Sequence, residues 1–425
     1  MLSRPVFVSG GIRTPFVKSM TTYSDVTSFE LMSSTLRTLV QRYNLQGQRL
    51  GDVGCGAVMQ SASDWNFTRE CVQSSGLDPH TPGYNVQRAC GTSLEISWEI
   101  ALKIASGAME IGIAGGVDTN SDLPIMVSKS LAHKLVEFNA AKDGIEKAKI
   151  LATLRPADLK PELPAVVEPR TKLSMGQHTE KMVQEWNISR QAQDALALRS
   201  HQNAVHAYEE GFYNDLVFEF HGLKRDGVVR PDTSLEKLAK LPPAFEKSPK
   251  GSLTAGNSSP LSDGSAAVIL TSQEAAARLG LPLWARFVDC EVAAVNYVAG
   301  EGLLMAPTIA VSELLKRNNF TFDDFDFFEI HEAFAGQVLC NLAAWESQDY
   351  CRKVLNRSTP LGPIDRTKMN LKGGSVALGH PFGATGARMV ATLAKMLHQK
   401  QGPGRGLISI CTAGGMGVAA ILESV

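Results

Sequence analysis

The sequence has little of what several large classes of protein require. No apolar run approaches ~18 residues, the length that a membrane-spanning helix needs. The 7 cysteines are scattered and odd in number, and no two form a CxxC pair, so neither a disulfide framework nor a zinc site is predicted. The 42 lysines and arginines nearly balance the 43 aspartates and glutamates, which argues against a chain-wide nucleic-acid-binding surface. The start, MLSRPVFVSGG, has no long apolar segment, so we expect a reduced, cytoplasmic protein without a secretory signal.

What the sequence does have is a regular alternation of short apolar runs and amphipathic segments. RPVFVSG is predicted to be a strand, SFELMSSTLRTLVQRYNL a helix and MEIGIAGG a buried strand. A more charged, proline-punctuated stretch runs from about Leu123 to Pro249, after which LSDGSAAVILTS resumes the apolar pattern. WARFVDCEVAAV, PTIAVSELLKRNN and DFDFFEIHEAF then repeat the theme, although the identity between the halves is too weak to prove a duplication. We therefore expect an α/β fold in layers, with mostly buried strands.

Cys90 is the first candidate for chemistry. It stands in RACGTS, just before the predicted helix LEISWEIALKIA. A helix N-terminus lowers a thiol pKa through its dipole and its free N–H groups, and Gly91 would let a substrate approach the backbone. The N–H groups there could also bind an oxyanion. The alternative is a small buried packing cysteine, the commoner state of this residue.

Two histidines are candidates for the base that a nucleophilic cysteine needs. His380 lies in GGSVALGHPFGATGARM, where five glycines between Gly373 and Gly386 suit a close approach of backbone to ligand. His331 follows the apolar run FFEI, and α/β sheets usually present catalytic groups at the carboxyl ends of strands. A surface turn histidine and a satisfied structural histidine are the respective alternatives.

A second thiol, Cys411, ends the apolar run GLISIC and precedes the small residues TAGG. In that setting we interpret it as a proton donor and acceptor. The segment from Gly415 to Ala420 matches a GxGxxA dinucleotide fingerprint, but the few residues after it resemble a strand and cannot build the required βαβ unit. A GxxxxGK[ST] phosphate loop is also missing from the sequence, so neither kind of phosphate-binding motif is predicted.

Taken in order, RACGTS, HEAF, GGSVALGHPFGATGAR and CTAGGMG resemble the active-site motifs of the thiolases. TAGNSSPLSDGSAAV and LSMGQHTEKM are similar to that family's pantetheine-loop and loop-domain motifs. The histidine of HEAF and the long insertion from about Leu123 to Lys172 resemble the fatty-acid-oxidation β-subunit type. The resemblance implies a thiolase fold, in which two similar βαβαβαββ halves form an α/β/α/β/α arrangement with an inserted helical loop domain.

The resemblance also implies three domains. Residues 1–122 together with 250–278 would form the N-terminal thiolase domain, and residues 279–425 the C-terminal one. Residues 123–249 would form the inserted loop domain, which binds CoA and contains a helical hairpin.

The segment 128–155 is predicted to form that hairpin. Its apolar residues recur at i, i+4 and i+7 or nearly so, on either side of Gly144, so two short helices are expected. The first set is Leu131, Leu135 and Phe138, and the second is Ile145, Ala148 and Leu151. Basic residues outnumber acidic ones here, as is typical of a hairpin on an anionic membrane surface or an acidic partner. The alternative is a hairpin packed on the protein body with a solvated charged face.

By resemblance, the reaction is cleavage of a 3-ketoacyl-CoA by CoA to acetyl-CoA and a shortened acyl-CoA, in fatty-acid β-oxidation. Cys90 would attack the 3-keto carbon, and His380 would activate its thiol. Cys411 would protonate the departing enolate and then deprotonate the incoming CoA. One oxyanion hole would use His380 with His331, and the other the backbone N–H groups of Cys90 and Ala413.

The resemblance implies coenzyme A as co-substrate and no metal or permanently bound cofactor. Ser259 would contact pantetheine, and Arg230 the CoA nucleotide. The expected partners are a second copy of the chain, as a homodimer or a dimer of dimers, and a separate hydratase/dehydrogenase α-subunit. Contact with a membrane surface through 128–155 is also expected, whereas nucleic acid is not.

Three other interpretations are open. An acetoacetyl-CoA thiolase is disfavoured because Ser174 stands where short-chain relatives often have a histidine. A condensing enzyme of the ketoacyl-synthase kind shares a cysteine and two histidines but lacks the second thiol, Cys411. An inactive structural subunit is disfavoured because Cys90, His380 and Cys411 are all intact. The sequence does not reveal the preferred acyl-chain length.

Overall fold

A computed structural model describes residues 2–164 and 167–425. Its strands are β1 (Val6–Arg13), β2 (Val17–Lys18), β3 (Asp52–Cys55), β4 (Gly83–Asn85), β5 (Ile111–Asp118), β6 (Ser262–Thr271), β7 (Ala285–Ala294), β8 (Phe327–Ile330), β9 (Arg405–Thr412) and β10 (Met416–Glu423). Its helices are α1 (Ser28–Arg42), α2 (Phe67–Gln73), α3 (Thr92–Ala105), α4 (Lys129–Ala140), α5 (Gly144–Ala152), α6 (Met175–Glu185), α7 (Arg190–Glu209), α8 (Leu235–Ala239), α9 (Gln273–Leu279), α10 (Ala306–Asn318), α11 (Ala335–Glu346), α12 (Gln348–Lys353), α13 (Ser375–Leu378) and α14 (Thr385–Gln399).

The order of the strands reveals two copies of one topology. The main path runs β4-β3-β5-β6-β1-β7-β10-β9-β8, with β2 paired to β6. In the first half, β3 pairs with β5 in parallel, and β5-β6-β1 are antiparallel. In the second half, β8 pairs with β9 in parallel, and β9-β10-β7 are antiparallel. Both halves therefore follow the same order, which the weak sequence identity between them could not establish.

The second half is less regular at its outer edge. Where the first half adds β4 beside β3, the second has an isolated parallel bridge between Phe328 and Met369. The two halves join where β1 and β7 pair over three residues, from Val6 with Phe287 to Val8 with Ala285. The predicted pair of similar βαβαβαββ halves is confirmed, with this bridge in the place of a third strand.

Alternate residues of the strands face different helical layers, as the period of two in a strand requires. Val268 of β6 and Ala420 of β10 face one shared core with α3 and α14, which lie between the two half-sheets. Their neighbours face outward: Ile269 packs with α1 and α2, and Ile421 with α10 and α11. Because both faces of each half-sheet are covered, the strands are mostly buried and largely apolar. The layered α/β/α/β/α arrangement predicted from the motifs is confirmed.

The chain between β5 and β6 contains α4 to α8, as the charged stretch predicts. A buried ion pair fixes it to the first half: Arg13 at the end of β1 contacts both carboxylate oxygens of Asp226 at 2.5 and 2.7 Å. Tyr208 of α7 donates to the same carboxylate at 2.8 Å. The two short helices predicted within 128–155 are confirmed, but neither α4 nor α5 has a buried residue. No helix among the described residues is long and apolar enough to cross a membrane.

Candidate active site

Cys90 lies in a tight turn immediately before α3. Gly91 is the N-cap residue of the helix, and its N–H donates to the carbonyl oxygen of Arg88 at 3.0 Å. Ala89 has a φ of 43°, a left-handed conformation that a residue with a Cβ seldom adopts. Such strain is common where a turn aims a functional side chain. The predicted place of Cys90, at a helix N-terminus, agrees with the structure.

His380 is the hydrogen-bond partner of this thiol. Its Nε2 lies 3.2 Å from Cys90 Sγ, and its Nδ1 lies 2.7 Å from Oγ1 of Thr385, the first residue of α14. The preceding Gly379 has a φ of 100°, which directs the chain into this turn. The structure thus brings together two residues that are 290 positions apart in the sequence.

The protonation of this pair differs from the sequence-based expectation. Burial raises the pKa of Cys90 to about 12, and the backbone N–H groups of Ala413 and Cys90 oppose that shift without reversing it. Burial lowers the pKa of His380 to about 3. The lowered thiol pKa expected for Cys90 is therefore wrong for the resting site: the pair is a neutral thiol beside a neutral imidazole, and the thiol proton has to move as the sulfur attacks.

The glycines of the two motifs also have a packing role, which was not predicted. A Cβ on Gly91 would lie 2.8 Å from Cγ2 of Val418, so this glycine lets α3 pack against β10. A Cβ on Gly383 would meet the carbonyl oxygen of Gly56 at 2.8 Å, and one on Gly386 would meet the backbone nitrogen of Leu94 at 2.2 Å. These positions need glycine because backbone packs against backbone inside the protein.

His331 follows β8 and lies beside His380. The two ring centroids are 4.2 Å apart, and His331 Nδ1 lies 3.0 Å from Oγ of Ser375. Its Nε2 is buried and has no hydrogen-bond partner within the described part of the chain. Burial lowers the pKa of His331 well below the usual range, so the ring is neutral. A neutral ring with one free nitrogen in a polar cluster is available to a ligand.

Cys411 is the last residue but one of β9, and the turn after this strand completes the cluster. Its side chain is 1% exposed. Burial raises its pKa well above the usual range, and the nearby Cys90 raises it further. The next residues form the β9–β10 turn, in which the Gly414 N–H donates to Oε1 of Glu168 at 2.9 Å. The rejection of the dinucleotide fingerprint is also supported, since β10 occupies that segment.

Three side chains of the cluster have donor atoms close enough together to hold a metal ion. Cys90, His331 and His380 each offer a donor atom, and these atoms lie within 4.8 Å of one another. A thiolate and two imidazoles are ligands that zinc accepts. The same set also suits nucleophilic catalysis, in which a thiol, a base and a further donor surround one carbonyl carbon.

The two predicted CoA contacts lie outside this cluster. The Ser259 hydroxyl donates to the carbonyl oxygen of Ala333, in the segment after His331, at 2.9 Å. Arg230 lines a cavity of about 150 Å³ on the inserted part of the chain, and its backbone N–H donates to Nδ1 of His201 at 3.2 Å.

Several residues that support the site were not predicted. Asp118, at the end of β5, accepts hydrogen bonds from the backbone N–H groups of Val58 and Met59 and, at 2.6 Å, of Gly383 in the His380 turn. Burial raises the pKa of Asp118 to about 7. Glu332, the residue after His331, accepts from Ser200 Oγ at 2.6 Å and also contacts the first turn of α13. The sequence offered one signal for Glu332, its place in the HEAF motif. Its partners lie so far away in the sequence that they leave no local pattern.

Comparisons with known proteins agree with these observations. The model described as "Thiolase, N-terminal domain" matches residues 6–274, and that described as "Thiolase, C-terminal domain" matches residues 281–424. The 3-ketoacyl-CoA thiolase of Yersinia pestis (strain Pestoides F) is 40% identical over 424 residues, covering 98% of this chain and 96% of that protein.

Solved structures share the fold over the whole length. The human mitochondrial 3-ketoacyl-CoA thiolase in complex with CoA is 28% identical with a TM-score of 0.82, covering 100% of this chain and 99% of that one. The Bacillus anthracis acetyl-CoA acetyltransferase is 30% identical with a TM-score of 0.81, covering 99% of each chain. Since both family models match and the fold is shared from end to end, the chain belongs to the thiolase family.

Proposed function

We propose that the chain is a 3-ketoacyl-CoA thiolase, which cleaves a 3-ketoacyl-CoA with CoA to acetyl-CoA and a shortened acyl-CoA. The observation that best supports this function is a neutral thiol, Cys90, 3.2 Å from a neutral imidazole, His380, with the thiol of Cys411 buried nearby. The 40% identity to the Yersinia pestis 3-ketoacyl-CoA thiolase supports the same substrate class.

In the first half-reaction, Cys90 Sγ attacks the 3-keto carbon while His380 Nε2 takes the thiol proton. The N–H groups of Cys90 and Ala413 lie close enough to the sulfur to affect its pKa, so they are suited to bind the oxygen of the carbon that it attacks. The bond between C2 and C3 then breaks, which leaves an acyl group on Cys90 and the enolate of acetyl-CoA. His331, and His380 in its protonated form, stabilise the enolate oxygen, and Cys411 gives its proton to the carbon.

In the second half-reaction, the Cys411 thiolate takes the proton of the incoming CoA thiol. The CoA sulfur attacks the acyl carbon, the bond to Cys90 Sγ breaks, and His380 returns a proton to that sulfur. The two half-reactions together need a base for the Cys90 thiol. They also need a second group, which protonates the substrate carbon and then deprotonates CoA. The second thiol meets that need and separates this proposal from a condensing enzyme of the ketoacyl-synthase kind.

The second candidate function is acetoacetyl-CoA thiolysis. The 30% identity to the Bacillus anthracis acetyl-CoA acetyltransferase supports this candidate. Ser174 disfavours it and has a structural task of its own, because its hydroxyl caps α6 and accepts from the Gln177 N–H at 3.2 Å. The chain length of the substrate separates the two functions.

The experiment is a thiolysis assay with 3-ketoacyl-CoAs of 4 to 16 carbons, chosen to span about a tenfold range of apolar surface. We expect kcat/KM to rise with chain length, and acetoacetyl-CoA as the best substrate would favour the second candidate. Mass spectrometry after mixing without CoA should find the acyl group on Cys90. Cys90→Ser should form no acyl-enzyme, and acylation of Cys411 in the parent protein would overturn the assigned roles.

For CoA we propose contacts with Ser259 at the pantetheine and with Arg230 at the nucleotide. The cavity beside Arg230 and the partly buried position of Ser259 next to the HEAF segment support these contacts. The three-domain division at 1–122 with 250–278, 123–249 and 279–425 is part of the same proposal. CoA is a co-substrate in it, and no metal or permanent cofactor takes part.

We also propose that the protein acts in the cytoplasm as a homodimer or a dimer of dimers, bound to a hydratase/dehydrogenase α-subunit. The 7 free cysteines support a reducing compartment. The hairpin at 128–155 would contact the α-subunit or an anionic membrane surface. Light scattering at micromolar concentration should give the mass of a dimer or larger, and a monomer mass would contradict the proposed assembly.

A further inference from the structure

A buried chain of polar groups lies behind His331 and has no part in the steps above. Arg388 Nη2 donates to Ser375 Oγ at 3.0 Å, and the same oxygen lies 3.0 Å from His331 Nδ1. Arg388 is 1% exposed, and Ser375 and His331 are 0% exposed. Glu329 Oε2 lies 3.6 Å from Arg388 Nη1, and burial raises the pKa of Glu329 to about 8, although the guanidinium opposes that shift.

The hydrogen bonds along this chain of groups indicate which nitrogen of His331 carries the ring proton. A guanidinium only donates hydrogen bonds, whereas a serine hydroxyl has one proton and can both donate and accept. Since Arg388 already donates to Ser375 Oγ, the serine proton is free to point at its other neighbour, His331 Nδ1. Within the described residues these are the two hydrogen bonds of Ser375 Oγ. The arrangement in which Ser375 donates to His331 Nδ1 gives the serine proton an acceptor, and it places the single proton of the neutral ring on Nε2.

The neighbouring histidine is held the opposite way. Thr385 Oγ1 donates its proton to the carbonyl oxygen of Pro381 at 3.4 Å, which leaves a lone pair for His380 Nδ1 at 2.7 Å. His380 thus has its proton on Nδ1, and its bare Nε2 faces the thiol of Cys90. In this arrangement the Thr385 hydroxyl leaves Nε2 of His380 free to act as a base. The Ser375 hydroxyl leaves a proton on Nε2 of His331, which can then donate a hydrogen bond.

The free nitrogen of His331 fits this assignment. A buried N–H without a partner is costly, so it is retained where an acceptor arrives during function. An oxyanion beside Cys90 would be such an acceptor. A protonated ring nitrogen cannot ligate a metal, so the same arrangement works against zinc binding by this cluster.

We propose that Arg388, acting through Ser375, holds His331 as its Nε2–H tautomer and so keeps it ready to donate to the oxyanion. Arg388 and Ser375 are positioning residues, because neither reaches the reacting atoms. The kinetic consequence rests on the thiolase function proposed above, whereas the tautomer does not.

The tautomer is measured by NMR on protein with ¹⁵N-labelled histidine rings, in long-range ¹H–¹⁵N spectra. His331→Asn assigns the His331 signals among the 9 histidines. The parent should show protonated Nε2 and bare Nδ1 for His331. In Ser375→Ala the Nε2–H population should fall, and Ser375→Thr, which keeps a hydroxyl, should preserve it. A parent His331 protonated on Nδ1, or a Ser375→Ala spectrum identical to the parent, would overturn the proposal.

Kinetics test whether the tautomer matters to the reaction. Removing an oxyanion donor costs about 10²–10³ in kcat, so Ser375→Ala, which misplaces the donor only part of the time, should lower kcat about 10-fold with little change in KM. In a His331→Asn background the same change should cost less than about 3-fold, because an amide NH₂ donates without a tautomer to choose. Equal losses in both backgrounds would mean that Ser375 merely supports the fold, and the proposal would fail.

Melting temperatures of all five proteins check that the comparison is between folded states. If the parent shows no thiolysis of any 3-ketoacyl-CoA, the proposed function fails, while the NMR result still decides the tautomer. If the parent is folded and active but its His331 ring is protonated on Nδ1, the tautomer proposal fails and the proposed function stands.

Discussion

Cys90 Sγ and His380 Nε2 lie 3.2 Å apart, and burial shifts their pKa values in opposite directions. The thiol stays protonated below its pKa of about 12, and the imidazole stays neutral above its pKa of about 3. Neither group therefore changes charge between about pH 5 and 9. In this respect the site differs from a thiolate–imidazolium pair, in which the nucleophile is charged before the substrate arrives.

The first prediction is that alkylation of Cys90 by iodoacetamide proceeds at a nearly constant rate between about pH 5 and 9, because His380 removes the proton during attack. Peptide mass spectrometry would follow Cys90 among the 7 cysteines. In His380→Ala the rate should be lower at neutral pH and should rise about tenfold per pH unit, since only the thiolate then reacts. A titration step in the parent within this range would indicate an ion pair and contradict the prediction.

Cys411 is predicted to act on the substrate carbon and on CoA, and not on the acylation of Cys90. Cys411→Ala should reduce thiolysis by about 10²–10⁴, the usual contribution of an acid or base, while Cys90 still accepts an acyl group from a simple acyl-CoA. Stopped-flow assays and mass spectrometry would separate the two activities. Cys351→Ala is the matched control, because that cysteine is also buried but packs in a different apolar core, where its thiol hydrogen-bonds to the carbonyl oxygens of Ala344 and Trp345. Thiolysis by Cys411→Ala within a few-fold of the parent would make Cys411 a packing residue.

At the scale of single residues, the sequence predicted which side chains meet but not what surrounds them. The motifs identified Cys90, His380, His331 and Cys411, because chemistry restricts the residue types at those positions. The pKa of Cys90 was predicted in the wrong direction, since burial depends on the whole fold. Ser375 and Thr385 belong to the motif GGSVALGHPFGATGAR, but their hydrogen bonds to the two histidines could be seen only in the folded structure.

At the scale of elements, the inserted segment contributes directly to the turn after β9. Glu168 Oε1 accepts from the Gly414 N–H at 2.9 Å, next to Ala413, whose own N–H is assigned to an oxyanion hole. The segment that holds Glu168 is itself closed by two backbone hydrogen bonds, Glu168 N–H to Leu173 at 2.9 Å and Lys172 N–H to Glu168 at 2.8 Å. The insertion thus fixes one wall of the site.

We expect Glu168→Ala to lower kcat about 10-fold, because the freed turn no longer holds the Ala413 N–H in line with the oxyanion. The lost hydrogen bond to a charged acceptor should also reduce the free energy of unfolding by about 1.5–3 kcal/mol. Glu168→Gln keeps an acceptor oxygen and is the matched control, with activity close to the parent. Steady-state kinetics and thermal melts would test both variants; equal losses in the two, or none in the alanine variant, would refute the role of this contact.

Strands and helices with long apolar patterns were predicted well, and short ones were not. The strand β1, the helix α1 and the β9–β10 hairpin all follow from periodic apolar residues. The strand β4 is three partly exposed residues, GYN, and no pattern of that length is informative. The two-copy topology was expected from the resemblance and is confirmed by the strand order, but the residues of the two halves alone could not establish it, because buried strands tolerate many apolar sequences.

At the scale of the whole molecule, the hairpin of α4 and α5 presents apolar side chains to the surface. Val136 is 70% exposed and Ile145 is 71% exposed. Two of its lysines contact nearby side chains: Lys134 contacts Asp158 at 2.5 Å, and Lys147 Nζ lies 5.4 Å from the centre of the Phe138 ring. The alternative, a hairpin packed on the protein body, predicts buried residues in these helices, and neither helix has one. Exposed apolar side chains beside basic ones fit a surface that another body covers.

The last prediction tests that surface at two of its exposed lysines, Lys142 and Lys149. Replacing both with glutamate should weaken sedimentation with anionic liposomes, or binding to the α-subunit, because each reversal removes attraction and adds repulsion. Binding by the parent should fall sharply as ionic strength rises past about 0.1 M, where the Debye length is about 10 Å. The matched control is Lys224→Glu with Lys316→Glu, which makes the same change of charge at exposed positions outside the hairpin. Thiolysis should be unchanged in both double variants, because the hairpin lies outside the catalytic cluster. If the hairpin variant behaves like the parent in both binding assays, the basic face has no part in docking.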